Sequence, residues 1–141
     1  MAGLAATLGS GAMTNSINEI EGNDVLLIIG SNATEAHPII GNKMKRAAAR
    51  GAKLIVIDPR RTELAEHAHL WLQLRPGTDN ALTNALLHVI ISNCWHAREY
   101  IAERCEGFDD LWATVKDYPP ERAAQISGVP VELILQAAEL Y

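Results

Sequence analysis

The amino-acid sequence predicts an α/β domain of three layers, with a short parallel sheet of about three or four strands and a helical C-terminal half. Two short runs, Val25–Ile29 and Leu54–Ile57, are continuously apolar, which is typical of parallel strands that are covered on both faces. The segment between them carries apolar residues at helical spacing. Beyond Asn93, helical patterns alternate with Pro and Gly breakers.

The first two strands and the helix between them form a right-handed βαβ unit, which makes the predicted fold Rossmann-like. Ile40, Met44 and Ala48 line the apolar face of this helix, and Gly51 stands where a residue just past a helix end is expected. Leu70–Leu74 alternates in hydropathy, which predicts a weaker third strand nearer an edge of the sheet.

The other predicted elements are short. A small-residue helical run follows Met1, and a turn over Thr62–Glu66 joins the second and third strands. Further helices are predicted from Thr78 and over His96–Arg104, Asp109–Lys116, Pro120–Ile126 and Pro130–Tyr141. Because the last pattern stops without a cap, we expect residues 1–141 to be a single domain excised from a longer multidomain chain.

Composition excludes several classes of protein. The 141 residues suffice for one domain with a core, and the net charge of −5 argues against nucleic-acid binding, which needs a basic face. No apolar run reaches the roughly 20 residues of a membrane helix, and the N-terminus lacks the basic segment of a signal peptide. We therefore expect a cytoplasmic location, unless the parent protein is exported by a signal that is not present here.

The cysteines and histidines predict no metal site. Cys94 and Cys105 are too few for a disulfide framework or an iron–sulfur cluster of four thiolates. We expect both to be reduced structural thiols. The triplet Cys94-Trp95-His96, with His88 nearby, fits no zinc spacing and is interpreted as a cluster at a helix end.

The first strand is followed by a polar loop of roughly seven residues, which is longer than a bare connection needs. Pro38 suits the first turn of the next helix. Gly30 permits a close approach of ligand to backbone, and Ser31, Asn32 and Thr34 offer polar side chains beside a helix N-terminus that favours an anion. The alternative is that these residues only cap the helix. No G-x-G-x-x-G motif is present.

The second strand ends at Asp58, where Rossmann-type folds hold a ribose hydroxyl. The adjacent Arg60 and Arg61 could pair with phosphate oxygens. The alternative interpretation is a turn at Asp58-Pro59 with two solvated arginines.

The third strand is followed by a loop over Arg75–Asn80, where Thr78 or Asp79 could cap the next helix. A carboxylate such as that of Asp79 also matches the two adjacent N–H donors on the Watson–Crick edge of guanine. Because the carboxyl ends of parallel strands meet at one edge, the three loops together predict a cleft that binds a nucleotide or dinucleotide.

The same loops resemble those of the molybdopterin oxidoreductase superfamily, the dimethyl sulfoxide reductase group. The resemblance lies in Ile29–Pro38 (IGSNATEAHP), Val56–Thr62 (VIDPRRT) and Arg75–Asp79 (RPGTD), in this order and spacing, and it extends through Glu106–Phe108 and Ile126–Val129. The Glu-Ala-His-Pro form of the first loop is most similar to the catalytic α subunits of formate dehydrogenases. The resemblance covers essentially the whole chain.

The resemblance implies that the domain holds a molybdopterin guanine dinucleotide, which carries molybdenum or tungsten in the parent protein. The implied contacts are Gly30, Ser31, Asn32, Thr34 and Glu35 for pyrophosphate and ribose, Asp58, Pro59, Arg60, Arg61 and Thr62 for nucleoside and phosphates, and Gly77, Thr78 and Asp79 for guanine. It implies a parent enzyme that oxidises formate to carbon dioxide and passes two electrons to the metal and on to electron-transfer subunits.

Parts of the family pattern are missing from the sequence. The metal-ligating cysteine or selenocysteine normally lies just upstream of a segment like Gly3–Gly11, and no such residue is present. The N-terminal domain with its 4Fe-4S cluster and the downstream domains are also absent. We therefore expect no catalytic residue and no turnover in these 141 residues. His37 is interpreted as a loop residue before Pro38.

The sequence leaves three alternatives open. One is another member of the superfamily, such as a nitrate reductase. Another is the large iron–sulfur subunit of respiratory complex I, which resembles this family without its cofactor, although the polar residues of the loops argue against such decay. A plain NAD-binding module is disfavoured by the missing glycine motif. We also expect self-association through faces that sibling domains would cover.

Overall fold

The computed structural model describes residues 2–9, 11 and 14–141, so the part of the predicted N-terminal run at Met1 lies outside the described residues. In chain order the elements are α1 (Ala2–Leu8), a 3-10 helix (Ile17–Gly22), β1 (Val25–Ile29), α2 (Ala33–Ala36), α3 (Pro38–Ala49), β2 (Lys53–Ile57), α4 (Glu63–Glu66), β3 (Leu70–Leu72), α5 (Asp79–Ser92), α6 (Arg98–Arg104), α7 (Phe108–Val115), α8 (Pro120–Ser127) and α9 (Val131–Leu140).

The three strands form a parallel sheet in the order β1-β2-β3, which confirms the predicted α/β fold. Val25 pairs with Lys53 at one end of β1, and Ile29 pairs with Ile57 at the other. On the other side of β2, Ile57 pairs with Leu72. The third strand is shorter than predicted because β2 leaves the sheet after Ile57, so that residues beyond Leu72 have no partner strand there.

Both faces of β2 are covered, which explains its unbroken apolar sequence. Ile55 and Ile57 belong to a larger core formed with buried residues of α5, α8 and α9. Leu54 and Val56 belong to a smaller core on the opposite face, which Ala33 and residues of α3 and α4 complete. The sheet between two layers of helices is the predicted three-layer arrangement.

The C-terminal half is helical as predicted, with small shifts at the boundaries. The predicted segment from His96 begins at Arg98, and the predicted segment from Asp109 begins at Phe108. Pro120 starts α8, and Gly128 ends it with a φ of +80°, a conformation that favours glycine. Helix α6 contains no buried residue.

The predicted helix after β1 is confirmed, with Pro38 in its first turn and His37 outside helical geometry. It ends at Ala49, and Gly51 follows with a φ of +108°. Over residues 2–9, 11 and 14–141, none of the helices has the length and apolar character needed to cross a bilayer.

Candidate functional site

The carboxyl ends of the three strands lie side by side, which brings together the loops that sequence reasoning singled out. We call them the first loop (residues 30–37), the second loop (residues 58–62) and the third loop (residues 75–79). The first loop starts beside the end of β2, because the N–H of Gly30 donates to the carbonyl of Ile57, the last residue of β2, at 2.9 Å. The second and third follow β2 and β3, whose last paired residues are Ile57 and Leu72.

The first loop is more ordered than predicted, because Ala33–Ala36 forms the single turn α2 instead of open loop. Alanines favour helix, and the N–H of His37 closes the turn on the carbonyl of Ala33. Gly30 has a φ of +57°, and Asn32 immediately precedes the turn. The hydroxyl of Thr34 donates to Asn32 Oδ1 at 2.8 Å, which fixes the two side chains relative to each other.

Gly41 in α3 holds the first loop in place, and sequence reasoning missed it. A Cβ at this position would lie 3.0 Å from the Cα of Thr34 and 3.1 Å from the carbonyl carbon and oxygen of Ala33. The backbone of α2 therefore packs directly on α3 only because residue 41 has no side chain. A glycine within a helical apolar pattern was the available signal.

The second loop places one buried carboxylate below two exposed guanidinium groups. Asp58 is 4% exposed, and its Oδ1 accepts the N–H of Arg60 at 2.8 Å. The Nε of Arg60 lies 3.9 Å from the same oxygen, while 74% of its side chain remains exposed. Arg61 is also exposed. The loop thus offers two cations to solvent at the edge of the sheet.

Two side chains of the segment after Leu70 brace the second loop, and neither was predicted to do so. Trp71 Nε1 donates to the carbonyl of Asp58 at 3.0 Å, and Gln73 Nε2 donates to the carbonyl of Pro59 at 3.1 Å. The guanidinium of Arg61 lies 6.0 Å from the centre of the Trp71 ring. The loop carbonyls are therefore turned towards β3.

Thr62, at the end of the second loop, has a buried hydroxyl without a hydrogen-bond partner among the described residues. The residue is 7% exposed and immediately precedes α4, yet its side chain does not cap that helix. An unsatisfied buried hydroxyl costs roughly 1–3 kcal/mol.

The third loop presents the start of α5. Gly77 has a φ of +80°, with open space where a side chain would project. The hydroxyl of Thr78 donates to the carbonyl of Arg75 at 2.6 Å and does not cap α5. Asp79 is the first residue of α5 and half-buried. Thr78 therefore stands at the N-cap position of α5, but the alternative interpretation that its side chain only caps the helix is wrong, because its hydroxyl is engaged within the turn.

Helix α3 carries ion pairs that were not predicted. Glu21, on the 3-10 helix, pairs with Arg46 at 2.6 Å, Arg50 at 2.9 Å and Lys43 at 3.4 Å. Hydrogen bonds from Arg46 and then Lys43 lower the pKa of Glu21 from 4.5 to about 2. On α4, the hydrogen bond from Lys45 lowers the pKa of Glu63.

The cysteines lie elsewhere. Cys94 and Cys105 are free and exposed. Cys94 follows α5 with a φ of +57°, which places it outside helical packing. Among the described residues no group of His, Cys, Asp and Glu could hold a metal ion. A depression of about 660 Å³ between α6 and α7, lined by His96 and Phe108 among others, is formed by residues outside the three loops.

A parallel sheet with helices on both faces and polar loops at its carboxyl edge is the architecture of α/β domains that bind nucleotides. Residues 3–135 match the family model described as molybdopterin oxidoreductase. The chain belongs to the molybdopterin oxidoreductase family, as the resemblance of its loops predicted.

Relatives of the chain include formate dehydrogenases. The chain is 50% identical over 139 residues to the F420-dependent formate dehydrogenase subunit alpha of Methanocaldococcus jannaschii, covering 99% of this chain and 21% of that protein. It is 41% identical over 141 residues to formate dehydrogenase H of Escherichia coli, covering 100% of this chain and 20% of that protein. The chain therefore spans about one fifth of the length of these relatives.

A solved structure agrees with the fold. Acetylene hydratase from Pelobacter acetylenicus superimposes with a TM-score of 0.75 at 42% sequence identity, covering 82% of this chain and 16% of that chain. The α/β architecture is thus that of a molybdopterin oxidoreductase domain.

Proposed function

We propose that this chain is the domain of a formate dehydrogenase catalytic subunit that binds the guanine dinucleotide portion of its molybdopterin cofactor. The family match over residues 3–135 supports the cofactor class. The adjacent carboxyl ends of β1, β2 and β3 support the location of the site.

One observation carries the proposal: the polar residues at the strand ends are not used as helix caps. Asn32, Thr62 and Thr78 each stand at the residue that precedes a helix, and none makes a side-chain cap hydrogen bond. Capping was the ordinary explanation for polar residues at these positions. Local hydrogen bonds engage Asn32 and Thr78 instead. Ligand contact therefore accounts best for Thr62, whose buried hydroxyl has neither a cap bond nor any other partner among the described residues.

The residues present fit a nucleoside diphosphate. The buried hydroxyl of Thr62 lacks a partner among the described residues, and Arg60 and Arg61 are exposed cations of the type that pairs with phosphate oxygens. The first N–H groups of α5 receive no side-chain cap, and such groups favour anions or polar ligand atoms.

Each loop has its own task in this proposal. The first loop, through Gly30, Ser31, Asn32, Thr34 and Glu35, lines the pyrophosphate and ribose. The second, through Asp58, Pro59, Arg60, Arg61 and Thr62, contacts nucleoside and phosphates. The third, through Gly77, Thr78 and Asp79, receives guanine, with the Asp79 carboxylate accepting two N–H groups. When bound, the metal of the cofactor supplies two-electron chemistry, and this domain holds and orients the nucleotide end.

Relatives support formate as the substrate of the longer protein. Formate dehydrogenase α subunits from methanogens reach 46% to 50% identity over nearly the whole chain. Their designation as α subunits supports further subunits as electron-transfer partners, and their length supports this chain being one domain of a larger protein. A 4Fe-4S domain elsewhere in that larger protein is part of the proposal. In this proposal the 141 residues hold the cofactor but do not turn over formate.

A second candidate is another enzyme of the same family. Acetylene hydratase matches at 42% identity in structure, similar to the 41% of formate dehydrogenase H. Enzymes named for different substrates therefore carry similar versions of this domain, which is consistent with a domain that binds cofactor and does not choose the substrate.

Calorimetric titration with GDP tests the proposal, using the wild-type chain, Asp79→Ala and the control Asp109→Ala. Asp109 is an exposed acid in the first turn of α7, one position further into its helix than Asp79 is in α5. We expect saturable binding by the wild type, a loss of affinity of about tenfold or more for Asp79→Ala, and none for the control. An absence of binding by the wild type, or equal losses in both variants, contradicts the proposal.

A further inference from the structure

Arg75 joins the third loop to the far end of helix α8. Its backbone N–H donates to the carbonyl of Ser127 at 2.8 Å. Its Nη1 donates to the carbonyls of Gln125 at 2.9 Å and Ile126 at 3.3 Å. One residue thus satisfies three consecutive carbonyls of the last turn of α8, where helix carbonyls lack internal partners and the helix dipole attracts a cation.

The end of α8 is built to receive this guanidinium. Gly128 adopts a φ of +80°, and a Cβ there would lie 3.3 Å from Arg75 Nε. Ser127 is fully buried, with its hydroxyl donating to the carbonyl of Ala123 and accepting the N–H of Val129. Helix α8 itself packs against α5 and α9. The carbonyls that Arg75 contacts therefore belong to a rigid support.

Arg75 also hydrogen-bonds within the third loop, and so connects the loop to α8. Its carbonyl accepts both the N–H of Thr78 at 3.3 Å and the hydroxyl of Thr78 at 2.6 Å. These bonds close the turn that presents Gly77 and leads into Asp79. A continuous series of hydrogen bonds thus runs from the end of α8 through Arg75 to the first residue before α5.

We propose that Arg75 is a positioning residue that sets the base-binding geometry of the third loop by anchoring it to α8. The inference rests on the proposed function, because it concerns the same nucleotide site. In this arrangement Arg75 does not touch the ligand. The helical C-terminal half, through α8, thereby takes part in recognising the base.

The test compares Arg75→Met and Arg75→Lys with the matched control Arg122→Met. Arg122 is on α8 and, like Arg75, donates its Nη1 to a backbone carbonyl, that of Asp117 at 2.6 Å. It stands over the Tyr118 ring, away from the third loop. Two quantities are measured: the ratio of GDP to ADP affinity, and hydrogen exchange at the amides of Gly77, Thr78 and Asp79 without ligand.

For Arg75→Met we expect faster exchange at these amides and about a tenfold loss of GDP affinity, with ADP affinity changed less than about twofold. Arg75→Lys restores part of the discrimination, because its ammonium can reach one carbonyl. A merely structural role would lower both affinities together.

Unchanged discrimination and unchanged exchange in Arg75→Met, or equal changes in Arg122→Met, would overturn the inference while leaving the proposed function intact. An absence of GDP binding by the wild type counts against the proposed function, and the exchange measurement then still decides whether Arg75 anchors the loop.

Discussion

The first strand-end loop is held by a different kind of contact from the other two. Its backbone packs on the bare Cα of Gly41, with the Cα of Thr34 only 3.0 Å from where a Cβ would be. The second loop is held by donors from Trp71 and Gln73, and the third by donors from Arg75. Atoms added at residue 41 should therefore displace the first loop. Removing a hydrogen-bond donor should instead loosen the second or the third loop.

Adding one methyl group at Gly41 should have the largest effect. We expect Gly41→Ala to lower the free energy of unfolding by about 1–2 kcal/mol, because overpacking against backbone outweighs the better helix propensity of alanine. Urea unfolding measures this. The control Gly3→Ala adds the same methyl group in α1, where nothing lies within 4 Å, and should leave stability unchanged or slightly raised. Equal behaviour of the two variants would contradict the packing account.

Removing one donor from the second loop should have a smaller effect. We expect Trp71→Phe to lower the free energy of unfolding by about 1 kcal/mol, since the carbonyl of Asp58 loses its partner while the aromatic packing largely remains. Trp95→Phe is the matched control, because Trp95 is 53% exposed and surface changes of this kind are nearly neutral. If both variants unfold at the same urea concentration as the wild type, the brace contributes nothing.

The charged contact of the 3-10 helix with α3 should have the smallest effect and a distinct pH dependence. The pKa of Glu21 is lowered from 4.5 to about 2, so its stabilisation is present above pH 4.5 and is lost as the pH falls towards 2. The stability difference between wild type and Glu21→Gln should therefore be constant at neutral pH and shrink below pH 4.5. Urea unfolding across this range measures it.

Glu19→Gln serves as the control for that series, because Glu19 is an exposed carboxylate on the same 3-10 helix and has no ion pair among the described residues. The change at Glu21→Gln should exceed the change at Glu19→Gln, because only Glu21 pairs with the cations of α3 among the described residues. A Glu21→Gln difference that persists unchanged at the lowest pH would rule out the ion pairs as its source.

The elements that sequence reasoning predicted well depend on local pattern. The apolar runs of β1 and β2 and the stripe of α3 are strong signals, because burial on two faces or one face sets the residue type at each position. The turn α2 was missed because four residues give almost no periodicity. Pro38 gave a strong signal for the start of a helix, so the weaker helical preference of Ala33 and Ala36 before it was not used.

The contacts that hold the site could not be predicted, because they join residues far apart in the chain. Trp71 meets the carbonyl of Asp58 13 residues away, and Arg75 meets Gln125 50 residues away. Both carbonyls belong to the backbone, so the partner's side chain carries no signal of the bond. Glu21 likewise meets Arg46 only after the 3-10 helix packs on α3. The polar residues of the three loops could be recognised from the sequence, whereas the distant residues that hold the loops in place could not.

Amide chemical shifts would show whether the three loops at one edge of the sheet form a single nucleotide site. The chain of 15.3 kDa suits residue-resolved NMR titration with GDP. We expect concerted, saturable shifts in residues 30–35, 58–62 and 77–79. Shifts confined to the depression between α6 and α7, or no shifts in the three loops at saturating GDP, would contradict it.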